Sequence, residues 1–299
     1  MKSFRFIIAI ALSLMCGMIS FLYSGSFTYP GSVIPGSWSR DIKIPYEVDK
    51  IAYQATAQIY FPKGYEKGED TRTLIVLHGY NQNLRVWELN SDIERYADLH
   101  GLVLVCPDMG KTLYETEYYP ETTVKWAPMP GGKFVAETLI DYLRGTFNIA
   151  NGRSTTGILG LSTGGRGAIM LAAKYPDKFA AAAGLSGDYD PTVIPNDRLL
   201  ATVYGNYEKN QERWERVASV INAAEGLKNT PIFLSHGGKD FVVSKEQSII
   251  LAIRLKQLQK EQGGYSVTFK EKRYKMHDWS FWASMVPEMM RFFDEKLAK

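Results

Sequence analysis

Cysteine, histidine and net charge are all scarce in this sequence. Its 299 residues hold two cysteines and four histidines, and 35 basic residues nearly cancel 32 acidic ones to leave +3. Two cysteines exclude a disulfide-stapled scaffold. The histidines are scattered and form no His-Glu-x-x-His pair, so no metal centre is expected. No Gly-x-x-x-x-Gly-Lys-Ser/Thr loop offers a nucleotide-phosphate site, and no cofactor is expected. A near-neutral chain without a basic block lacks the electrostatic footprint of a nucleic-acid binder. Internal repeats and low-complexity tracts are absent too. What is there suits a globular chain, with 45% hydrophobic and 22% charged residues. A chain of this length buries most of its apolar surface without staples.

Only one apolar run is long. Lys2 and Arg5 precede Phe6–Tyr23, and Ser24-Gly25-Ser26 follows. A positive start, an apolar middle and a small-residue end read as a secretory signal over residues 1–26, which predicts a secreted or periplasmic protein. The alternative is an uncleaved membrane anchor over residues 6–23, for which the 18 residues just suffice. Ser13, Gly17 and Ser20 dilute the run and favour cleavage. Contact with a membrane is expected only if the segment stays. Cys16 lacks the residue pattern for lipidation, since Met15 and Ser13 stand where a small and an aliphatic residue belong, and it reads as part of the apolar run. Cleavage leaves Cys106 as the single cysteine and lowers the charge by two, to +1.

The remainder, residues 27–299, alternates strand and helix patterns without a composition break, which predicts a single domain. Residues 27–50 read as an extended lead-in, and Ile51–Phe61 as a strand of an antiparallel hairpin. Leu74–Leu77, Leu102–Cys106, a segment ending at Leu159, Ala180–Leu185 and Pro231–Ser235 read as strands, and the first two are continuous apolar runs that suit burial on both faces. Tyr265–Phe269 alternates as a further strand. Helical spacing covers Trp87–His100, Phe134–Arg144 and Arg166–Lys174. Ser244-Lys245-Glu246-Gln247 fits a capping box opening a helix to Gln262. A last helical pattern spans Trp279–Leu297, with Pro287 expected to break it or to start a second helix. Residues 108–132 read as a long loop, and 191–230 as helical stretches too short for a large lid. Repeated strand–helix units predict an α/β fold: a mostly parallel central sheet with helices on both faces.

Gly160-Leu161-Ser162-Thr163-Gly164 lies between a strand and a helix. This Gly-x-Ser-x-Gly pattern puts a serine on a sharp turn, clear of the sheet, with a helix N-terminus behind it. A serine hydroxyl needs a base. Of the four histidines only His277 comes late enough for the chain order serine, acid, histidine. The acid is expected at a strand's carboxyl end. Asp240, after His236-Gly237-Gly238-Lys239, is the first choice, and Asp188 and Asp190 compete with it. Asp278 adjoins His277 too closely to face it. The oxyanion is expected to meet the backbone N–H groups of Thr163 and Tyr80, with His78 shaping the Tyr80 loop. Trp87, Tyr118, Tyr119, Trp126 and Trp279 are candidates for substrate binding, unless they fill the core or tie down loops.

With these residues in place, the chain resembles α/β-hydrolases of the esterase D-like family, which includes feruloyl esterases, S-formylglutathione hydrolases and mycolyltransferases. The resemblance covers roughly residues 50–297. Its most specific stretch runs from Gly-Leu-Ser-Thr-Gly-Gly-Arg-Gly-Ala at 160–168 through Tyr175-Pro176-Asp177-Lys178-Phe179 to Ser186-Gly187, and His277-Asp278-Trp279 with Trp282 is similar to the family's histidine loop. It implies an α/β-hydrolase fold with Ser162, Asp240 and His277 as its triad. Thr163 replaces a frequent methionine, and Lys275-Met276 a usual glycine, which bears on substrate choice. The expected activity is hydrolysis of carboxylic esters, of carbohydrate or aromatic acyl type, through an acyl-enzyme. Acyl transfer by the same triad and a non-catalytic binding module are the alternatives.

Overall fold

The computed structural model describes residues 33–68 and 71–298. The segments read as signal or anchor, residues 1–26 and 6–23, lie outside the described residues. Among the described residues no helix is long and apolar enough to cross a membrane.

Eight strands form one sheet: β1 (Ser37–Val48), β2 (Ile51–Phe61), β3 (Thr73–Leu77), β4 (Val103–Pro107), β5 (Thr156–Leu161), β6 (Ala181–Leu185), β7 (Ile232–Gly237) and β8 (Val267–Lys272). Their order is β1-β2-β4-β3-β5-β6-β7-β8. The β1–β2 and β2–β4 pairs are antiparallel and the remaining pairs parallel. The helices used below are α1 (Val86–Asn90), α2 (Ile93–His100), α3 (Ile140–Phe147), α4 (Thr163–Lys174), α5 (Arg198–Tyr204), α6 (Glu246–Gln262) and α7 (Trp279–Lys296).

Every residue of β3 to β7 is buried, because helices cover both faces. Successive side chains point to opposite faces, so each strand feeds two cores. Ile75, Leu77, Val103, Val105 and Ile158 pack with α3, α4 and α6. Leu74, Val76, Leu104, Leu159 and Leu161 pack with α2 and α7. The expected α/β architecture, a mostly parallel central sheet with helices on both faces, is the one observed.

Four local expectations need correction. The lead-in contains β1, whose Ile42 and Ile44 are buried against β2. A register shift between Ser39 and Ile42 and the presence of Pro45 mask its alternation. The Trp87–His100 helix is two, α1 and α2, parted at Ser91, which is extended. The capping box does not form. Lys245 stands at the N-cap without a side-chain bond, and Gln247 turns inward to accept from Tyr189 N–H and Asp190 N–H. Pro287 lies inside an unbroken α7. Its missing N–H forfeits one helical bond, but the buried face of Phe281, Met285, Val286, Met289, Met290 and Phe293 holds the helix to the sheet.

Candidate active site

Strand β5 ends at Leu161, and α4 begins at Thr163, so Ser162 alone makes the turn. Its backbone is at φ 53° and ψ −125°, a region that non-glycine residues occupy at a cost of about 1–3 kcal/mol. The flanking glycines are demanded by close approach. A Cβ on Gly160 would strike the Gly164 carbonyl, and one on Gly164 would strike the His78 carbonyl. The strand, the helix and the His78 loop thus meet backbone to backbone and hold the serine above the sheet.

His277 follows β8, and its Nε2 lies 3.0 Å from Ser162 Oγ. Its Nδ1 lies 2.7 Å from Asp240 Oδ2, in the loop after β7. Asp240 Oδ1 accepts from Val242 N–H at 3.0 Å and Val243 N–H at 2.9 Å. Burial opposes its charge. Hydrogen bonds from His236, His277 and Val243 N–H outweigh burial and hold the carboxyl far below the usual carboxylate range. The acid loop sits tightly on the histidine loop, for a Cβ on Gly237 would lie 2.5 Å from the Lys275 carbonyl oxygen. Neither competing acid bonds His277. Asp190 Oδ1 accepts from Thr192 N–H and Oγ1, and Asp188 Oδ2 is 3.9 Å from Arg166 Nε. Asp278 caps α7 by accepting from Phe281 N–H.

Tyr80 and Thr163 both line the cavity at Ser162. Neither backbone N–H has a hydrogen-bond partner among the described residues. His78 is buried, and its Nε2 accepts from Met109 N–H at 2.9 Å, so the ring proton is on Nδ1 and is donated to the Gly79 carbonyl at 2.7 Å. Burial lowers its basicity further. It fixes the loop before Tyr80 and is distant in role from Ser162.

A cavity of about 340 Å³ opens at Ser162. Leu113, Ile194, Leu199, Leu200, Val242 and Val243 form its apolar wall, and Asp188, Asp197 and Gln247 its polar side. Among the described residues no group of three or more His, Cys, Asp or Glu side chains is arranged to hold a metal ion. Cys106 is buried within β4, and burial pushes its thiol well above the usual range, so it offers no nucleophile.

Residues 50–293 match the model of the Putative esterase family. The chain belongs to this family. Among curated proteins it is 22% identical to a diacylglycerol acyltransferase/mycolyltransferase Ag85A of Mycobacterium gordonae, over 94% of this chain and 87% of that one. It is 25% identical to an acetyl esterase of Caldicellulosiruptor saccharolyticus, over 72% of this chain and 80% of that one. Its fold is similar to the solved structure of FphF, a fluorophosphonate-binding serine hydrolase of Staphylococcus aureus, with a TM-score of 0.66 and 18% identity, covering 87% of this chain and 99% of that one. Family membership supports a carboxylic ester hydrolase.

In this esterase the aromatic residues expected at the substrate do not line the cavity. Trp87 is fully buried, donates its indole N–H to the Leu77 carbonyl at 3.1 Å, and meets Trp279 edge to face. Trp279 in turn meets Trp282, which stands edge-on to the His277 ring at 5.1 Å. Trp279 and Trp282 share one face of α7 by their spacing of three, and they buttress the histidine from behind. Tyr118 donates to the Ala127 carbonyl and Trp126 to the Asp108 carbonyl, so both tie down the long loop. Tyr119 lies under the Arg213 guanidinium at 3.9 Å, on a separate surface groove. The aliphatic wall went unread, although Phe241-Val242-Val243 directly after Asp240 was a visible signal.

Proposed function

We propose that the chain is a secreted serine esterase that hydrolyses esters of short to medium aliphatic acids. The observation that carries this reading is the continuous hydrogen-bonded line from Ser162 Oγ through both nitrogens of His277 to Asp240 Oδ2. Ser162 Oγ attacks the ester carbonyl while His277 Nε2 takes its proton. The oxyanion meets the free N–H groups of Thr163 and Tyr80, an arrangement in which each donor typically contributes about 100- to 1000-fold. Collapse breaks the ester C–O bond, and His277 returns the proton to the departing alcohol. Water, deprotonated by the same His277, then releases the acid and restores Ser162. Asp240 keeps the imidazole oriented and stabilises its charged form.

The aliphatic wall supports an alkyl acyl group over an aromatic one, because the aromatic candidates are occupied elsewhere. Secretion is supported by the pattern of residues 1–26, and it leaves a carbohydrate ester as a fitting class of alcohol partner. A panel of acetyl, butanoyl, octanoyl and feruloyl esters with wild type and Ser162→Ala tests the reading. Activity on alkyl esters should fall at least about 1000-fold in the variant. Retention of that activity refutes it. Acyl transfer is a second reading, favoured by the mycolyltransferase relative that spans 94% of this chain. Products analysed with an alcohol acceptor present distinguish ester exchange from hydrolysis. Absence of fluorophosphonate labelling would favour a non-catalytic module.

A further inference from the structure

Asp240 has two histidine neighbours, and the reaction sequence above uses one. His236 stands four residues earlier in β7, and both its side chain and that of Asp240 are wholly removed from solvent. His236 Nε2 is 2.9 Å from the Val243 carbonyl and 3.3 Å from Asp240 Oδ2. That is the same oxygen that faces His277 Nδ1. Two acceptors on one side fix the tautomer: the proton is on Nε2. Nδ1 is then a lone pair, and Ser248 Oγ, 2.8 Å away on α6, donates to it. Polar contacts thus run from Ser248 through His236, Asp240 and His277 to Ser162, with the His236 Nε2–H bonded to the Val243 carbonyl and 3.3 Å from Asp240 Oδ2. The titratable groups that bear on His236 are Asp240, Glu246 in the first turn of α6, and His277 across the shared carboxylate, and those that bear on His277 are Asp240 and Asp188.

We propose that His236 is a positioning residue for the acid–base pair, sharing Asp240 Oδ2 with His277 so that the carboxylate stays on its loop and its hold on the His277 proton is limited. This rests on the assignment of Ser162, His277 and Asp240 above. Each donor to a carboxylate spreads its negative charge. An Asp240 with one donor fewer keeps its Val242 and Val243 N–H bonds on Oδ1, yet concentrates more charge on Oδ2. His277 then retains its proton to higher pH, and less free base is present to activate Ser162.

His236→Phe keeps a ring of similar size and removes the donor, whereas His236→Gln keeps an N–H near the Nε2 position. In His236→Phe the acidic limb of kcat/KM against pH should move up by about 0.5–1 unit, the scale of one long hydrogen bond to a carboxylate. The kcat should fall about 5- to 10-fold with KM nearly unchanged, and His236→Gln should restore both limb and kcat. Titration of the His277 ring by NMR in Ser162→Ala protein, with and without His236→Phe, should show the same upward move. That readout needs no turnover, so it separates failure of this proposal from failure of the esterase reading, which Ser162→Ala kinetics decide alone. Nitrogen chemical shifts of His236 in the unaltered chain should report an Nε2–H tautomer, which tests the proposal even if His236→Phe does not fold. An unmoved or lowered limb, a kcat loss that Gln does not restore, or an Nδ1–H tautomer overturns the proposal.

Discussion

Replacing Asp188 by Asn should make the protein more stable at neutral pH and leave it unchanged in acid. Asp188 lines the cavity after β6 with its side chain 14% exposed. The nearest cation is the Arg166 guanidinium, whose Nε is 3.9 Å away, beyond hydrogen-bond length, and has no other partner. Burial therefore dominates and pushes the carboxyl from 3.8 up to about 6, against the pull of Arg166. A carboxyl raised in this way binds its proton more tightly in the folded chain than in the unfolded one. Its ionisation costs nothing below about pH 4, costs progressively more from there to about pH 6, and costs a constant amount above. The rise from 3.8 to about 6 is roughly two units, or ~3 kcal/mol at 1.36 kcal/mol per unit, with the attraction of Arg166 already included. At about 2 °C per kcal/mol for a domain of this size, Asp188→Asn should melt ~6 °C higher at pH 8. Thermal unfolding of both proteins from pH 4 to pH 8 checks this. No gain at pH 8, or an equal gain at pH 4, would show that burial does not govern this carboxyl.

Other consequences follow from the same packing. Arg166 is wholly buried and donates to the Leu113 and Ala218 carbonyls and to Tyr204; Arg166→Met should cost about 3–5 kcal/mol in urea unfolding, since it orphans buried acceptors and strips Asp188 of its cation. A stability gain there would mean the carbonyls find other donors. Leu200→Trp should fill the apolar wall and lower octanoyl over acetyl kcat/KM by about 10-fold or more, as read from paired ester assays. Trp126→Leu should lower stability by about 2 kcal/mol with KM unaltered, because its indole secures the long loop to Asp108. A raised KM at unchanged stability would return Trp126 to the substrate.

The candidate triad was readable in the sequence because each of its members is tied to a strand end. Ser162 follows β5, Asp240 follows β7 and His277 follows β8, so chain order and a short turn were enough to nominate them, and the hydrogen bonds bring the same three side chains together. Readings based on local pattern alone fared worse. The capping-box spacing at Ser244 is real, yet Gln247 has a stronger claim on the buried Tyr189–Asp190 backbone. Pro287 is a helix breaker in isolation and is overridden by the apolar face around it. The tryptophans misled because aromatic content near an active edge looks the same whether a ring faces substrate or backs a histidine. Only the edge-to-face chain Trp87–Trp279–Trp282–His277 decides between the two.

That chain, together with the cavity, separates two tasks that the sequence presents as one. The groups at Ser162, Asp240 and His277 are held by strand ends, glycine contacts and the tryptophan buttress, all continuous with the two cores of the sheet. Much of the apolar wall comes instead from Ile194, Leu199 and Leu200, in a segment whose Leu200, Val203, Tyr204, Trp214 and Ala218 pack with Leu113 as a small cluster of their own. The 191–230 part of that wall meets the candidate site through Tyr80, which packs on the same cluster, and through Arg166, which donates from α4 to backbone carbonyls at Leu113 and Ala218. Backbone carbonyls accept in the same way whatever side chain they carry. The candidate triad is therefore anchored in the two cores of the sheet and the 191–230 wall in a cluster of its own, so the acyl group that this wall would take is probed by substitutions in that segment.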